Sequence, residues 1–153
     1  MRTVLIESPL QHGTEHEAAN LAYLDACIAD CFARSEAPYC SHKLYPGVLD
    51  DKDPHERLLG MSAGWAIGER LDGWIFYLDR GVSGGMLGGL RHVLALHEDL
   101  PAKWRRIVFR ALGSSSPGVH SGLPAGVMFT SAAIERFPSL DAAIREVCPE
   151  FIR

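Results

Sequence analysis

Short apolar runs alternate along the chain with longer stretches in which apolar residues return every three or four positions. Thr3 to Ile6 is β-branched and apolar and stops at Glu7-Ser8-Pro9, with the glycine of QHGTEHE in the loop beyond, so a first strand is predicted there. From about Glu15 to Arg34 the residues Leu21, Leu24, Ile28 and Phe32 recur at helical spacing. This predicts an amphipathic helix with that face inward, and Thr14 with Glu17 has the spacing of a capping box. Pro38 to Leu44 is read as a second strand because turn chemistry follows at once in YPGVLDDKDP. Asp53-Pro54 has the form of an N-cap followed by proline at the first helical position. Leu58, Met61, Trp65 and Ile67 or Gly68 carry that helix to about Leu71. Beyond Gly73, WIFYL predicts a buried third strand, a third helix runs from about Gly85 to Glu98, and WRRIVFRAL supplies a fourth strand.

Strands alternating with helices require crossover connections, so the pattern predicts an α/β layered fold with a parallel sheet over residues 1–112. After Leu112 the text changes to GSSSPGVHSGLPAG, a short VMF run and SLDAAIREVC, in which Leu140, Ala143, Ile144 and Val147 share one face. Residues 113–153 are therefore read as a loop and a C-terminal helical extension that packs on the core or on a partner subunit.

Composition narrows the function classes. A chain of 153 residues, 47% of them hydrophobic, suits one core. The net charge of -4, with Lys and Arg scattered apart from Lys103, Arg105 and Arg106, offers no field for duplex nucleic acid but leaves a single nucleotide open. No stretch approaches the ~20 apolar residues of a membrane span, and MRTVLIESP has no cleavage-site pattern, so a soluble, cytoplasmic protein with no membrane partner is expected. The four cysteines are irregularly spaced, which predicts reduced thiols. His12/His16 and Cys27/Cys31 have i, i+4 spacing, but no CxxC or HExxH completes a ligand set, so neither metal nor cofactor is expected.

In open parallel sheets, ligands bind outside the carboxyl ends of the strands, where neighbouring connections leave for opposite faces. That rule selects the loops holding Glu7, Ser8 and Pro9; Ser41, His42 and Tyr45; and Asp79 to Met86. RGVSGGMLGGLRH fits neither GxxxxGK[ST] nor GxGxxG. Ser83, Gly84 and Gly85 stand at a helix start, where free N–H groups favour an anion, while Gly88 and Gly89 suit close helix packing. Glu7 and Asp79 are candidate acids, bases or nucleophiles. Asp51 is either a solvated loop residue or a ligand contact. Arg57, at a helix start, suits an anionic group if that start faces the crevice.

Taken together, ESP after the first strand, Asn20 in the first helix, EAPYCSH, GVLDDKDPHER and DRGVSGGM resemble the nucleoside 2-deoxyribosyltransferase-like superfamily, in particular a group found in phages and bacteria. The resemblance covers residues 3–112. It implies a flavodoxin-like (Rossmann-like) parallel sheet with helices on both faces, a homo-oligomer, and a nucleoside or nucleotide in the selected crevice. In active members a glutamate attacks C1′ of the sugar and displaces the base. In nucleotide-cleaving members a serine and backbone groups hold the 5′-phosphate, which falls here on Ser83, Gly84 and Gly85, with Met86 beside them. Asn20, Ser41 and His42 become candidate ligand-positioning groups.

One departure stands out. The superfamily pattern S-x-G-M-x-x-E places its nucleophile at position 89, where this chain has Gly89. Two expectations follow. Either Glu7 or Asp79 serves an N-glycosidic hydrolase or deoxyribosyltransferase from another side of the pocket, or the crevice binds a nucleotide-like ligand without cleaving it. A third class is an assembly protein that keeps only the fold.

Overall fold

The computed structural model describes residues 1–99, 106–112, 117–118 and 127–130. Strands β1 (Arg2–Glu7), β2 (Glu36–Tyr39), β3 (Gly73–Tyr77), β4 (Arg106–Arg110), β5 (Pro117–Gly118) and β6 (Val127–Thr130) form a six-stranded sheet in the order β2-β1-β3-β4-β6-β5. Every pairing is parallel except that of β5 with β6. The crossovers are α1 (Glu17–Ala33), α2 (Pro54–Gly68) and α3 (Gly84–Asp99). The predicted α/β class holds, and the strand order is that of a flavodoxin-like, doubly wound sheet.

Alternation along each strand sends successive side chains to opposite faces and so builds two cores. Val4, Ile6, Ile75, Tyr77 and Val108 pack with Leu24, Cys27 and Cys31 of α1. Leu5, Trp74, Phe76, Ile107 and Phe109 pack with Met86, Leu90 and Val93 of α3, with Trp65 of α2 against them. Helix α2 is the lightly held member: its two buried residues are Gly64 and Gly68. The second of these lets α2 lie on the sheet, because a Cβ there would come within 2.7 Å of Trp74 and 2.8 Å of Leu5.

The structure corrects several boundaries. β2 starts at Glu36 and stops at Tyr39, after which Ser41–Lys43 form a 3-10 turn, so the strand predicted to reach Leu44 ends early. Pro38 is tolerated because β2 lies at the edge of the sheet. In α1 the buried positions are Asn20, Leu24, Cys27 and Cys31, whereas Phe32 is 57% exposed. The thiols, compact and apolar, take the place expected of the longer side chains. At the start of α1, Thr14 Oγ accepts from His16 N and Glu17 accepts from Gly13 N, a neighbour-shifted version of the expected capping box. The Asp53 cap forms as read, its carboxylate accepting from His55 N (2.8 Å) and Glu56 N (3.1 Å).

Beneath α1, Glu36 and Arg110 form a buried, two-pronged ion pair (2.7 and 2.8 Å), and Arg2 also donates to Glu36. Burial opposes the charge on Glu36, but these arginines hold its carboxyl below the usual carboxylate range. Cys27, Cys31 and Cys40 are free and buried, and burial pushes the thiols of Cys31 and Cys40 up to about 11. Among the described residues no helix is long and apolar enough to cross a membrane. The amphipathic stretch predicted around Leu140 to Val147 lies outside the described residues.

Candidate functional site

The connection leaving β1 runs to α1 on one face, while that leaving β3 runs to α3 on the other. Between these divergent connections lies a cavity of about 310 Å³, walled by the end of β1, the turn after β2, α2 and the start of α3. It is large enough for a small ligand.

Glu7 is the last residue of β1 and, two positions after Leu5, points to the α2/α3 side. It lines the cavity yet is only 8% exposed. Its carboxyl group sits against Gly89: a Cβ there would lie 2.5 Å from Glu7 Oε1 and 3.0 Å from Glu7 Cδ. Position 89 is therefore the seat of the Glu7 side chain, and glycine is what leaves room for it. Burial pushes Glu7 up to about 8, partly offset by a hydrogen bond donated by the Trp65 indole.

Trp65 is positioned from both sides. Gly88 admits it, since a Cβ there would meet Trp65 Cζ2 at 3.3 Å and Met61 Cε at 3.2 Å. Its ring stacks on His92 (centroids 4.9 Å apart, 19° between planes), and His92 Nε2 lies 2.8 Å from Glu69 Oε1. The expectation that Gly88 and Gly89 serve close packing is thus met in a specific form: they bring α3 against α2 and against Glu7.

The other end of the cavity is charged. Arg57 Nη1 donates to the Asp51 carboxylate, and its Nη2 lies 3.5 Å from where a Cβ of Gly85 would be. Glu56 also lines this end, its Oε2 accepting from Asp50 N at 2.6 Å. Ser83 caps α3, its Oγ accepting from Met86 N at 3.3 Å. His42 lines the cavity with its Nδ1 sealed and without a hydrogen-bond partner. Burial pushes His42 down to about 4, against the pull of Asp51, so its ring is neutral at pH 7.

Of the residues singled out from sequence, Glu7, Ser41, His42, Asp51, Arg57, Ser83, Gly84, Gly85 and Met86 converge on this cavity. Ser8, Pro9, Asn20 and Asp79 are not in its lining. Ser8 and Pro9 are buried in the chain leaving β1. Asn20 is a clamp: its amide donates to Leu10 O (2.8 Å) and its oxygen accepts from Arg80 Nε (2.7 Å). Asp79 accepts from Tyr23 OH (2.6 Å) and Leu112 N (2.9 Å), tying β3 to α1 and β4. Sequence reasoning placed Trp65 only as a helix position and missed its contact with Glu7; the available signal was a large ring facing the small pair Gly88-Gly89. Among the described residues no group of three or more His, Cys, Asp or Glu side chains could hold a metal ion.

No curated protein and no solved structure matches the chain. A family model described as a domain of unknown function, DUF7768, matches residues 2–102, a span that contains β1 through α2, β3, α3 and every residue lining the cavity. With well over half of its length inside that model, the chain belongs to the DUF7768 family.

Proposed function

We propose that the cavity takes a nucleoside or nucleotide and that Glu7 cleaves its N-glycosidic bond, as a hydrolase or a deoxyribosyltransferase. The observation that carries this reading is the seating of the Glu7 carboxyl group over Gly89, facing a cavity of ligand size. The superfamily this chain resembles extends a glutamate from position 89; here a carboxylate from β1 fills the space that such a side chain would cross.

In this mechanism ionised Glu7 forms a bond to C1′ as the C1′–N bond breaks, the bonding pair leaving with the base, which takes up a proton. Attack on C1′ by water, or by a nitrogen of a second base, then breaks the Glu7–C1′ bond and restores the carboxylate; the attacking group loses a proton, which balances the one the first base took up, and the sugar leaves free or as a new nucleoside. The Trp65 N–H steadies the anionic form. Ser41 and His42 lie at hand for the sugar or base, and Ser83 to Met86 flank the far end.

The burial of Glu7 favours a second reading. With its pKa raised to about 8, Glu7 is largely protonated at pH 7, which suits a hydrogen-bond donor in a noncatalytic nucleotide-binding site. Incubation with deoxynucleosides and their monophosphates, followed by chromatography for free base, separates the two. Release that is lost in Glu7→Gln supports the enzyme; saturable binding without release supports the binding protein.

A further inference from the structure

The cationic corner of the cavity is already answered by the protein's own carboxylates. Among the described residues that line it, Arg57 is the single arginine or lysine, and its guanidinium is engaged by Asp51. Glu56 adds a further negative charge beside it, and His42 brings none because its ring is neutral. The cap of α3 is also spent in part, since Ser83 Oγ is committed to Met86 N. An incoming phosphate would carry close to two negative charges and would have to displace Asp51 from Arg57 while facing Glu56.

We infer that the site selects an unphosphorylated nucleoside over its 5′-monophosphate, with Asp51 occupying the corner where an anionic group would otherwise bind and Arg57 held as its partner. This rests on the N-glycosidic reading above and narrows its substrate class. Asp51 is then a specificity-determining residue: it excludes a second anion. The repulsion is electrostatic, so it weakens as salt rises.

The test compares base release from deoxynucleosides and from the matching 5′-monophosphates by the full chain, by Asp51→Asn and by Glu56→Gln. For the parent protein kcat/KM is expected to favour the nucleoside by about tenfold or more, a preference that shrinks in higher salt. Asp51→Asn should reduce or reverse that ratio by about tenfold, and Glu56→Gln, which keeps an acceptor for Asp50 N, should move it the same way by less. Equal or better turnover of the monophosphate, with both variants leaving the ratio unmoved, overturns the inference while leaving the N-glycosidic reading intact. If no base is released from either substrate, that reading fails, and calorimetric titration with the same compounds decides the selectivity: tighter nucleoside binding sustains it, and tighter monophosphate binding or no binding overturns it.

Discussion

A carboxyl group with a pKa of about 8 behaves at neutral pH chiefly as a neutral hydrogen-bonding group, and Glu7 is in that state because its surroundings deny it water. If it acts as the nucleophile, only the ionised fraction reacts. The expected outcome is a kcat/KM for base release that rises with pH and levels off above about 8, the value for the free protein. A profile that falls through the same range would assign Glu7 as a proton donor instead. The fluorescence of Trp65, which donates to this carboxyl group, should titrate over the same range and lose that transition in Glu7→Gln. Gly89 offers a sharper probe. Gly89→Ala would bring a methyl group to 2.5 Å from Glu7 Oε1, so it should expel the carboxyl group, cost about 1–3 kcal/mol of stability and abolish base release. Gly88→Ala meets Met61 Cε at 3.2 Å and Trp65 Cζ2 at 3.3 Å, both less close than the 2.5 Å at Gly89, and should be the milder change. Denaturant melts of the two variants check the order.

At the scale of elements, α1 ends awkwardly. Ser35, exposed and just beyond the helix, takes a left-handed conformation (φ 59°) that glycine adopts without a steric penalty. Ser35→Gly is expected to stabilise the protein by about 0.5–1 kcal/mol, read from urea unfolding. The same scale shows what the sequence made legible. The cap and proline of α2, the apolar run of β3 and the alternation of strands with helices are local signals, and each appears where it was read. The bounds of the second strand and part of the α1 face are not legible locally because their determinants are distant: Glu36 is fixed by Arg110, far along the chain, and beside the expected Leu24 and Ile28 the inward face of α1 uses asparagine and thiols that carry little apolar pattern. For the candidate site, strand-end positions bring Glu7, Ser41, His42 and Ser83 to Met86 to one cavity, as the loop positions predict. The separation of Asp79 and Asn20 from the cavity depended on hydrogen bonds to Tyr23, Leu112, Leu10 and Arg80 that no local spacing discloses.

For the molecule as a whole, three buried groups give stability a shape in pH. Glu7 is raised, so folding holds its proton more tightly than the unfolded chain does, and its contribution is lost as pH rises from about 4.5 through 8. His42 is lowered, so its contribution is present above about 6.5 and lost as pH falls toward 4. Glu36, also lowered, adds to the loss on the acid side. Thermal melts should therefore show decline on both flanks, and Glu7→Gln should flatten the alkaline one, with a gain of up to about 4 kcal/mol at pH 8. The stability gained and the activity lost in that variant would be the same charge seen twice. Breaking the pair beneath α1 acts elsewhere: Arg110→Met leaves a buried carboxylate short of its main partner and should cost about 3 kcal/mol in the same melts. Helix α2 carries a different consequence. It provides Arg57, Met61 and Trp65 to the cavity, yet its two fully buried residues are glycines, so it meets the sheet by backbone approach at Gly68 and through the single large ring of Trp65. Apart from Gly64, Trp65 and Gly68, the positions of α2 are half-buried or exposed and lie outside both cores, so exchanging them opens no void there. Core and cavity thus share Leu5, Met86 and Trp65, while the other α2 positions that line the cavity belong to it alone, and new ligand preferences can arise along them while the sheet beneath stays as it is.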